Sequence, residues 1–410
     1  MKNLLKVAEK VSYKKLSDNY LFSEIRQKTS SFKDADGREI LDLSIGDIAY
    51  ALPPSSVNAM KKAAEEMGDN ARKRGYSPEN GYPFLLNAIA SYYKNLGVKI
   101  DTDEILVGDG TKSDISLFPD IFDRSNELIA EPCYPVYKDA ALMRGNKLYS
   151  VCGNKQNGFL PEPDGIEKKP YVITLCSPNN PTGSAFDKEK LKKWVDFALE
   201  TGSLILYDAA YSAFSGDGAV KTVFSVKNAD ECAVEFCSFS KFAGFTGIRC
   251  SWFVVPEKIK LSGGKTLLSL VKRKRSATFN GVSYVTQRGA EAALSFKGRK
   301  ECEILIKKYL SAANKLKDFF SKTNLFFTGG DNCPYLWIEC PNTKNSFEFF
   351  ENLLVKTAVV CTPGVGFGNA GEGYFRLSAF QKEDTVNEVL NRFSSSDIFK
   401  DSTSGVLSKN

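Results

Sequence analysis

Four groups of polar residues in this chain carry the chemistry of a cofactor pocket, and each follows a short apolar run. Asp109-Gly110-Thr111-Lys112 combines a glycine, a cation and the expected start of a helix, which together can bind a phosphate. Asn180 lies in residues 177–183, a segment restricted by two prolines and a glycine, so its side chain would be held as an oriented donor. A plain strand-to-helix turn and a rigid surface turn are the structural alternatives for these two segments.

An acid and an amine complete the set. Asp208 follows the apolar run 203–207, where a carboxylate is costly to bury unless it has a partner such as a protonated ring nitrogen. Lys241 follows the run 232–237, and burial beside positive neighbours lowers the pKa of an amine, which makes it a nucleophile near neutral pH. A helix N-cap is the alternative role for Asp208, and a surface position is the alternative for Lys241.

Together these groups describe a pocket for pyridoxal phosphate. That cofactor needs a lysine for its Schiff base, a carboxylate against its pyridine nitrogen and donors for its phosphate. Ser238, Ser240 and Arg249 supply further phosphate donors close to the lysine in sequence.

Composition excludes several other chemistries. The 410 residues include no histidine, which rules out Ser-His-Asp and Cys-His catalysis and any zinc site that needs imidazole, and no metal site is expected. The net charge of +6 does not by itself indicate nucleic acid, and the basic run Lys272–Arg275 is interpreted as a solvated face. The ten cysteines lack CxxC spacing and are expected to be reduced and buried. Without a signal peptide or an apolar membrane span, the sequence predicts a cytoplasmic protein.

Short apolar runs that alternate with helical patterns must position these groups. The runs lie at residues 104–108, 127–130, 171–176, 203–207 and 232–237, with helical patterns at 85–93 and 188–201. This alternation predicts an α/β fold with a mostly parallel central sheet covered by helices, in which ligands bind at the carboxyl ends of the strands.

The chain is too long for one hydrophobic core, since such cores stop growing at roughly 250–300 residues. We expect an N-terminal arm over residues 1–47 that contributes to a smaller domain, and a large cofactor-binding domain over 48–295. A small α+β domain over 296–395 and a Ser-rich, disordered tail over 396–410 would follow.

The sequences of the segments that carry these candidate residues resemble those of the class I/II aminotransferases of fold type I. The hallmarks are SPNNPTG at 177–183, DAAY at 208–211 and SFSKFAGFTGIR at 238–249, and the resemblance spans about residues 15–395. Other segments are more similar still to the LL-diaminopimelate aminotransferase family; they are Asn19–Phe22, Leu43–Asp47, Arg74–Gly81, Cys133–Tyr137, Thr278–Gly281 and Thr362–Gly368.

The resemblance implies a role for each residue that contacts the cofactor. Lys241 would form the Schiff base, Asp208 would pair with the pyridine nitrogen, Tyr211 and Asn180 would contact the phenolate oxygen, and Tyr134 would stack on the ring. The phosphate would be surrounded by Gly110, Thr111, Lys112, Ser238, Ser240 and Arg249, together with Tyr76 of the partner subunit in a homodimer.

The resemblance also implies amino transfer between LL-2,6-diaminopimelate and 2-oxoglutarate, giving tetrahydrodipicolinate and glutamate. Arg376 would bind the α-carboxylate, and the distal end would meet Tyr20, Gly46 and Lys112, with Asn180 also near the substrate. Glu79 and Asn280, both from the partner subunit, would recognise the distal ammonium and carboxylate. The charges of the substrate support the role of Glu79. Diaminopimelate has a second ammonium that needs an acceptor, whereas a pocket specific for aspartate needs a second cation at that position.

Some positions depart from the family pattern. Ile48–Tyr50 stand where threonines are usual, Ser77 where a glycine is usual, and Glu131 where an aspartate is usual. Three alternative functions stay open at this point: an aminotransferase of aspartate or aromatic specificity, a pyridoxal-phosphate-dependent C–S lyase, and a non-catalytic regulator that binds the same cofactor.

Overall fold

The computed structural model describes residues 10–16, 20–33 and 37–400. Its α-helices are α1 Leu21–Ser31, α2 Pro54–Met67, α3 Pro83–Asn95, α4 Thr111–Leu117, α5 Val136–Arg144, α6 Lys188–Thr201, α7 Phe239–Phe242, α8 Leu267–Thr278, α9 Tyr284–Leu294, α10 Phe296–Phe320, α11 Ser346–Thr357 and α12 Glu383–Ser395. Its strands are β1 Leu41–Asp42, β2 Ile105–Gly108, β3 Asn126–Glu131, β4 Lys147–Cys152, β5 Val172–Cys176, β6 Leu204–Asp208, β7 Ala233–Ser238, β8 Ser251–Val254, β9 Phe327–Gly329, β10 Tyr335–Glu339, β11 Val359–Val360, β12 Thr362–Pro363 and β13 Tyr374–Ser378.

A seven-stranded sheet with the order β2-β8-β7-β6-β5-β3-β4 forms the centre of the large domain. Strand β8 runs opposite to the other six strands, which share one direction, so the predicted mostly parallel sheet is confirmed. Every residue of β5 and β7 is buried, as expected for strands covered on both faces. Local sequence fixes where a covering helix begins: Asp187 caps α6 by accepting from the backbone N–H of Lys190 at 2.8 Å.

A second core lies around the four-stranded antiparallel sheet β12-β13-β10-β9, with α11 and α12 packed against it. The N-terminal segment joins this core, since Leu21, Ile25 and Leu43 are buried in it and β1 pairs in parallel with β11. Helix α10 belongs to both cores: Cys302 and Tyr309 pack in the large one, and residues from Ala312 onward pack in the small one. The boundary expected at residue 296 therefore falls at the start of a helix that joins the two domains.

The first residues of the disordered tail expected from residue 396 are ordered in the structure. Ile398 and Phe399 are buried in the small core, so the prediction of disorder is wrong for residues 396–400. The Ser-rich composition of the segment concealed these two apolar anchors. Phe399 contacts five other phenylalanine rings; they are Phe319, Phe320, Phe349, Phe375 and Phe393. The rest of the predicted tail, residues 401–410, lies outside the described residues.

Two further sequence predictions concern membrane spans and cysteine chemistry. Over the part of the chain that the structure describes, no helix is long and apolar enough to cross a membrane. All ten cysteines are free thiols, and all except Cys152 are buried, so the expectation of reduced, buried cysteines is wrong only for the exposure of Cys152.

The burial of Phe399 predicts a stability effect. Phe399→Ala should lower the free energy of unfolding by about 3 kcal/mol, because the truncation removes a buried ring and leaves a cavity. Phe296→Ala is the matched control, since Phe296 is 69% exposed. Urea unfolding followed by circular dichroism measures both variants, and equal midpoints for Phe399→Ala and the unchanged protein would contradict the packing described here.

Candidate active site

A cavity of about 300 Å³ opens at the carboxyl ends of β5, β6 and β7, where Cys176, Asp208 and Ser238 line it. The small domain closes it from the other side with Arg376 of β13 and Tyr335 of β10. The sequence-predicted site residues that line this cavity are Gly46, Thr111, Lys112, Tyr134, Asn180, Asp208, Tyr211, Ser238, Ser240, Lys241, Arg249 and Arg376. Residues from four strand ends and both domains therefore meet at one place.

Lys241 lies on α7, a single helical turn that begins where β7 ends. Ser238 caps this turn by accepting from the backbone N–H of Ser240 at 3.0 Å. Burial is the main cause that lowers the pKa of Lys241 to about 8; Arg376 and Arg249 act in the same direction, and the Asp47 carboxylate opposes them. The Lys241 ammonium donates to the Gly46 carbonyl. A substantial fraction of this amine is therefore neutral near physiological pH.

Asp208 is a buried carboxylate at the end of β6. It accepts from the hydroxyl of Tyr137 at 2.7 Å and from the backbone N–H of Ala210 at 3.0 Å. Burial raises the pKa of Asp208, whereas these two hydrogen bonds lower it. A cation placed against this carboxylate would stabilise its ionised form.

Arg249 and Gly110 form a close-packed pair beside the start of α4. A Cβ on Gly110 would lie 1.8 Å from Nη2 of Arg249, and the φ of Gly110 is +147°, so only glycine fits there. The Gly110 backbone N–H donates to the Ser251 hydroxyl at 2.8 Å, and the Thr111 hydroxyl donates to the Cys237 carbonyl at 2.9 Å. Gly110 thus gives the guanidinium space, and its own N–H is already bonded within the protein.

Arg376 is 1% exposed and is anchored by its terminal nitrogens. Nη1 donates to the side-chain oxygen of Asn180 at 2.6 Å, and Nη2 donates to the Thr362 hydroxyl at 3.3 Å and to the Ser44 carbonyl. Its buried Nε has no hydrogen-bond partner among the described residues. Because Asn180 accepts with its oxygen, its amide nitrogen is left as the donor available to a ligand.

Tyr335 connects Arg376 with Tyr211. The hydroxyls of Tyr335 and Tyr211 are 2.9 Å apart, and the Arg376 guanidinium lies 4.4 Å from the centre of the Tyr335 ring. A Cβ on Gly46 would lie 1.8 Å from the Tyr335 hydroxyl oxygen. Gly46 is therefore required by this close approach.

Tyr20 does not line the cavity itself but contacts Lys112, which does. The ammonium of Lys112 lies 4.8 Å from the centre of the Tyr20 ring, which is within the range of a cation–π contact. Tyr20 itself lines an adjoining cavity of about 340 Å³. The two residues therefore form a border between the cavities.

Three predicted site residues lie away from the cavity. Tyr76 is 88% exposed, and Glu79 and Asn280 are also exposed on the surface of the chain. None of the three lines the cavity of its own chain. They can act in this active site only if a second copy of the chain supplies them.

Comparison with known proteins identifies the family. The family model described as aminotransferase class I and II matches residues 38–393. The chain belongs to the class I and II aminotransferases. The resemblance predicted from the motifs is confirmed.

Relatives and solved structures agree on the family and the fold. The LL-diaminopimelate aminotransferase of Phocaeicola vulgatus is 42% identical over 398 residues, covering 92% of this chain and 96% of that relative. The enzyme of the same name from Prochlorococcus marinus is 42% identical over 408 residues, covering 95% and 99%. The structure of L,L-diaminopimelate aminotransferase from Chlamydomonas reinhardtii superposes with a TM-score of 0.89 at 35% identity, covering 96% and 99%. The predicted fold type I architecture is confirmed.

The active site of this aminotransferase includes residues that the sequence analysis missed. Tyr137, which donates to Asp208, and Tyr335, which contacts Tyr211, line the cavity. Tyr137 lies in a segment that carried the family resemblance, so that signal was present. Tyr335 follows from the pairing of β10 with β13, which places it beside Arg376, and the sequence alone does not show this pairing.

The contact between Gly46 and Tyr335 predicts a catalytic effect. Gly46→Ala should lower the kcat/KM of amino transfer about tenfold or more, because the new methyl group must displace the Tyr335 hydroxyl beside Arg376. Gly263→Ala is the control, since nothing lies within 4 Å of a Cβ built there. Steady-state kinetics with an amino-acid donor measures both variants; unchanged kinetics for Gly46→Ala would refute the role of this close approach.

Proposed function

We propose that this aminotransferase uses pyridoxal phosphate to transfer an amino group between LL-2,6-diaminopimelate and 2-oxoglutarate, with tetrahydrodipicolinate and glutamate as products. The observation that carries the proposal is a cavity in which Lys241, Asp208 and Arg376 meet without neutralising one another. The identity of 42% over nearly the whole chain to LL-diaminopimelate aminotransferases supports the choice of substrate.

The residues present fit the cofactor. Asp208 is a buried carboxylate suited to a protonated pyridine nitrogen, and Arg249 with Ser238 and Ser240 forms a donor set suited to a phosphate. The space that Gly110 leaves for the Arg249 guanidinium supports the same assignment. When bound, pyridoxal phosphate supplies an aldehyde that condenses with amines and a ring that accepts electrons from the bond being broken.

Each side chain of the cavity has its own role in that chemistry. Asp208, held by Tyr137, keeps the ring nitrogen protonated. Tyr211, oriented by its hydrogen-bonding contact with Tyr335, and Asn180, oriented by Arg376, hold the ring oxygen. Lys241 Nζ accepts the proton that the substrate loses from its α-carbon and later returns it, which suits an amine whose pKa is about 8.

Arg376 is the group that binds the α-carboxylate. Among the described residues its terminal nitrogens donate only to the neutral oxygens of Asn180, Thr362 and Ser44, although its side chain is 1% exposed. A buried guanidinium is costly without a counter-charge, and a substrate carboxylate supplies one with matching planar geometry. The contacts to Asn180 and Thr362 fix the guanidinium before substrate arrives.

The distal end of the substrate needs a second subunit. Lys112 of the same chain lines the cavity and Tyr20 contacts that lysine, whereas Glu79 and Asn280 lie on the exposed surface. In the proposed homodimer, Glu79 of the partner subunit accepts the distal ammonium and Asn280 of the partner subunit binds the distal carboxylate. Tyr76 of the partner subunit reaches the cofactor phosphate, which accounts for an aromatic side chain that is 88% exposed in one chain.

The proposed setting is the cytoplasm. Ten free cysteines, nine of them buried, suit a reducing compartment. The substrates are small molecules, and we propose no nucleic-acid or membrane partner.

Replacing the acceptor of the second ammonium tests the substrate. Glu79→Gln should lower kcat/KM for diaminopimelate about tenfold or more and leave that for glutamate within about twofold, because only diaminopimelate carries a distal ammonium. Asp103→Asn is the control, since Asp103 is an exposed carboxylate that lines the same surface pocket as Glu79. The assay follows amino transfer from diaminopimelate to 2-oxoglutarate. A wild-type enzyme that prefers aspartate to diaminopimelate would refute the proposal.

A further inference from the structure

The end of α8 differs from the sequence interpretation. From the sequence, the run Lys272–Arg275 is interpreted as a solvated face. Arg275 is only 7% exposed, so that interpretation is wrong for this residue. Its guanidinium packs 4.3 Å from the centre of the Phe279 ring. A buried arginine within a basic run needs a structural reason, because burying its charge is costly.

The contacts of Arg275 supply that reason. Its Nη2 donates to the backbone carbonyl of Glu79 at 2.6 Å and to the backbone carbonyl of Val107 at 2.5 Å. The next residue, Ser276, donates from its hydroxyl to Oε2 of the Glu79 side chain at 2.6 Å. Two adjacent residues of α8 therefore hold both the backbone and the carboxylate of Glu79.

The loop that carries Glu79 is also packed against α9 and against the connection between α8 and α9. The Gln287 side chain, fully buried, donates to the Ser77 hydroxyl at 2.9 Å and accepts from the Tyr82 backbone N–H at 2.8 Å. A Cβ on Gly281 would lie 2.4 Å from the Ser77 hydroxyl. Asn280 directly precedes that glycine. Glu79 and Asn280, the two surface residues proposed to bind the distal end of the substrate, therefore belong to one packed unit.

We infer that Ser276 and Arg275 are positioning residues that orient Glu79 toward the distal ammonium of the substrate in the partner subunit's active site. The inference rests on the proposed function. Ser276 holds one carboxylate oxygen, which leaves Oε1 to accept from the ammonium. An exposed glutamate without this contact must lose rotamer freedom each time the substrate binds, so its contribution to binding is smaller.

Changes at Ser276 and at Arg275 should affect different sets of substrates. Ser276 contacts the Glu79 carboxylate, so its loss affects only a substrate with a distal ammonium. Arg275 also holds Val107 on β2, the strand that leads to the phosphate-binding segment of its own chain, Asp109–Lys112. A change at Arg275 therefore affects every substrate, whereas a change at Ser276 separates diaminopimelate from glutamate.

Kinetics of Ser276→Ala in the holoenzyme test the inference. The KM for diaminopimelate should rise about fivefold with little change in kcat, while both constants for glutamate stay within about twofold. Ser276→Thr, which keeps the hydroxyl, should restore the KM. Ser269→Ala is the control, because Ser269 is an exposed serine of the same helix whose hydroxyl bonds only to the Thr266 carbonyl.

A double-mutant cycle shows whether Ser276 acts through Glu79. In a Glu79→Gln background, Ser276→Ala should raise the KM for diaminopimelate by less than about twofold, because the carboxylate it orients is gone. An unchanged KM in the single variant, an equal rise for glutamate, or a full further rise in the double variant would overturn the inference. A wild-type enzyme inactive on diaminopimelate would instead overturn the proposed function, and the inference with it.

Discussion

The structure depends on three charges that share one small cavity and are not paired with one another. Asp208 and Arg376 are buried and Lys241 is half-buried, and among the described residues no ion pair includes any of the three. Burial lowers the pKa of the amine and raises the pKa of the carboxylate, so both groups are less stable in their charged forms than in water. Ligands of opposite charge relieve this cost, and the same cost gives the pocket its selectivity.

The fold places these groups at the ends of neighbouring strands. In the parallel part of the sheet, β5, β6 and β7 end at one edge, so Asn180, Asp208 and Lys241 each need only the first residues after a strand. Arg376 comes from the middle of β13, where pairing with β10 and β12 on either side fixes its backbone. One domain thus holds the groups around the ring and the other holds the group that binds the carboxylate.

The sequence predicted the parts of the site that are local in the chain. Asp208, Lys241 and the segment around Asn180 follow apolar runs directly, and strand ends are where an α/β sheet binds ligands. Tyr137 was missed although its segment carried the family resemblance. Tyr335 was missed because its role arises from the pairing of strands that are distant in the chain, which no short pattern records. Arg275 was misinterpreted for the same reason: a run of basic residues gives the charge but does not show which member turns inward to the Glu79 loop. Composition was misleading at the C-terminal side of the small domain. Ile398 and Phe399 pack into the small core, although the Ser-rich composition of their segment predicted disorder.

The central claim is that the Lys241 amine and the Asp208 carboxylate serve one bound ring. The most direct measurement is the visible absorbance that pyridoxal phosphate gains on condensing with an amine, recorded after it is added to cofactor-free protein over a range of pH around 8. The account predicts that the band forms faster as pH rises through about 8, since only the neutral amine attacks, and that it is absent in Lys241→Ala. A band of full intensity in Lys241→Ala, with amino transfer retained, would contradict the account.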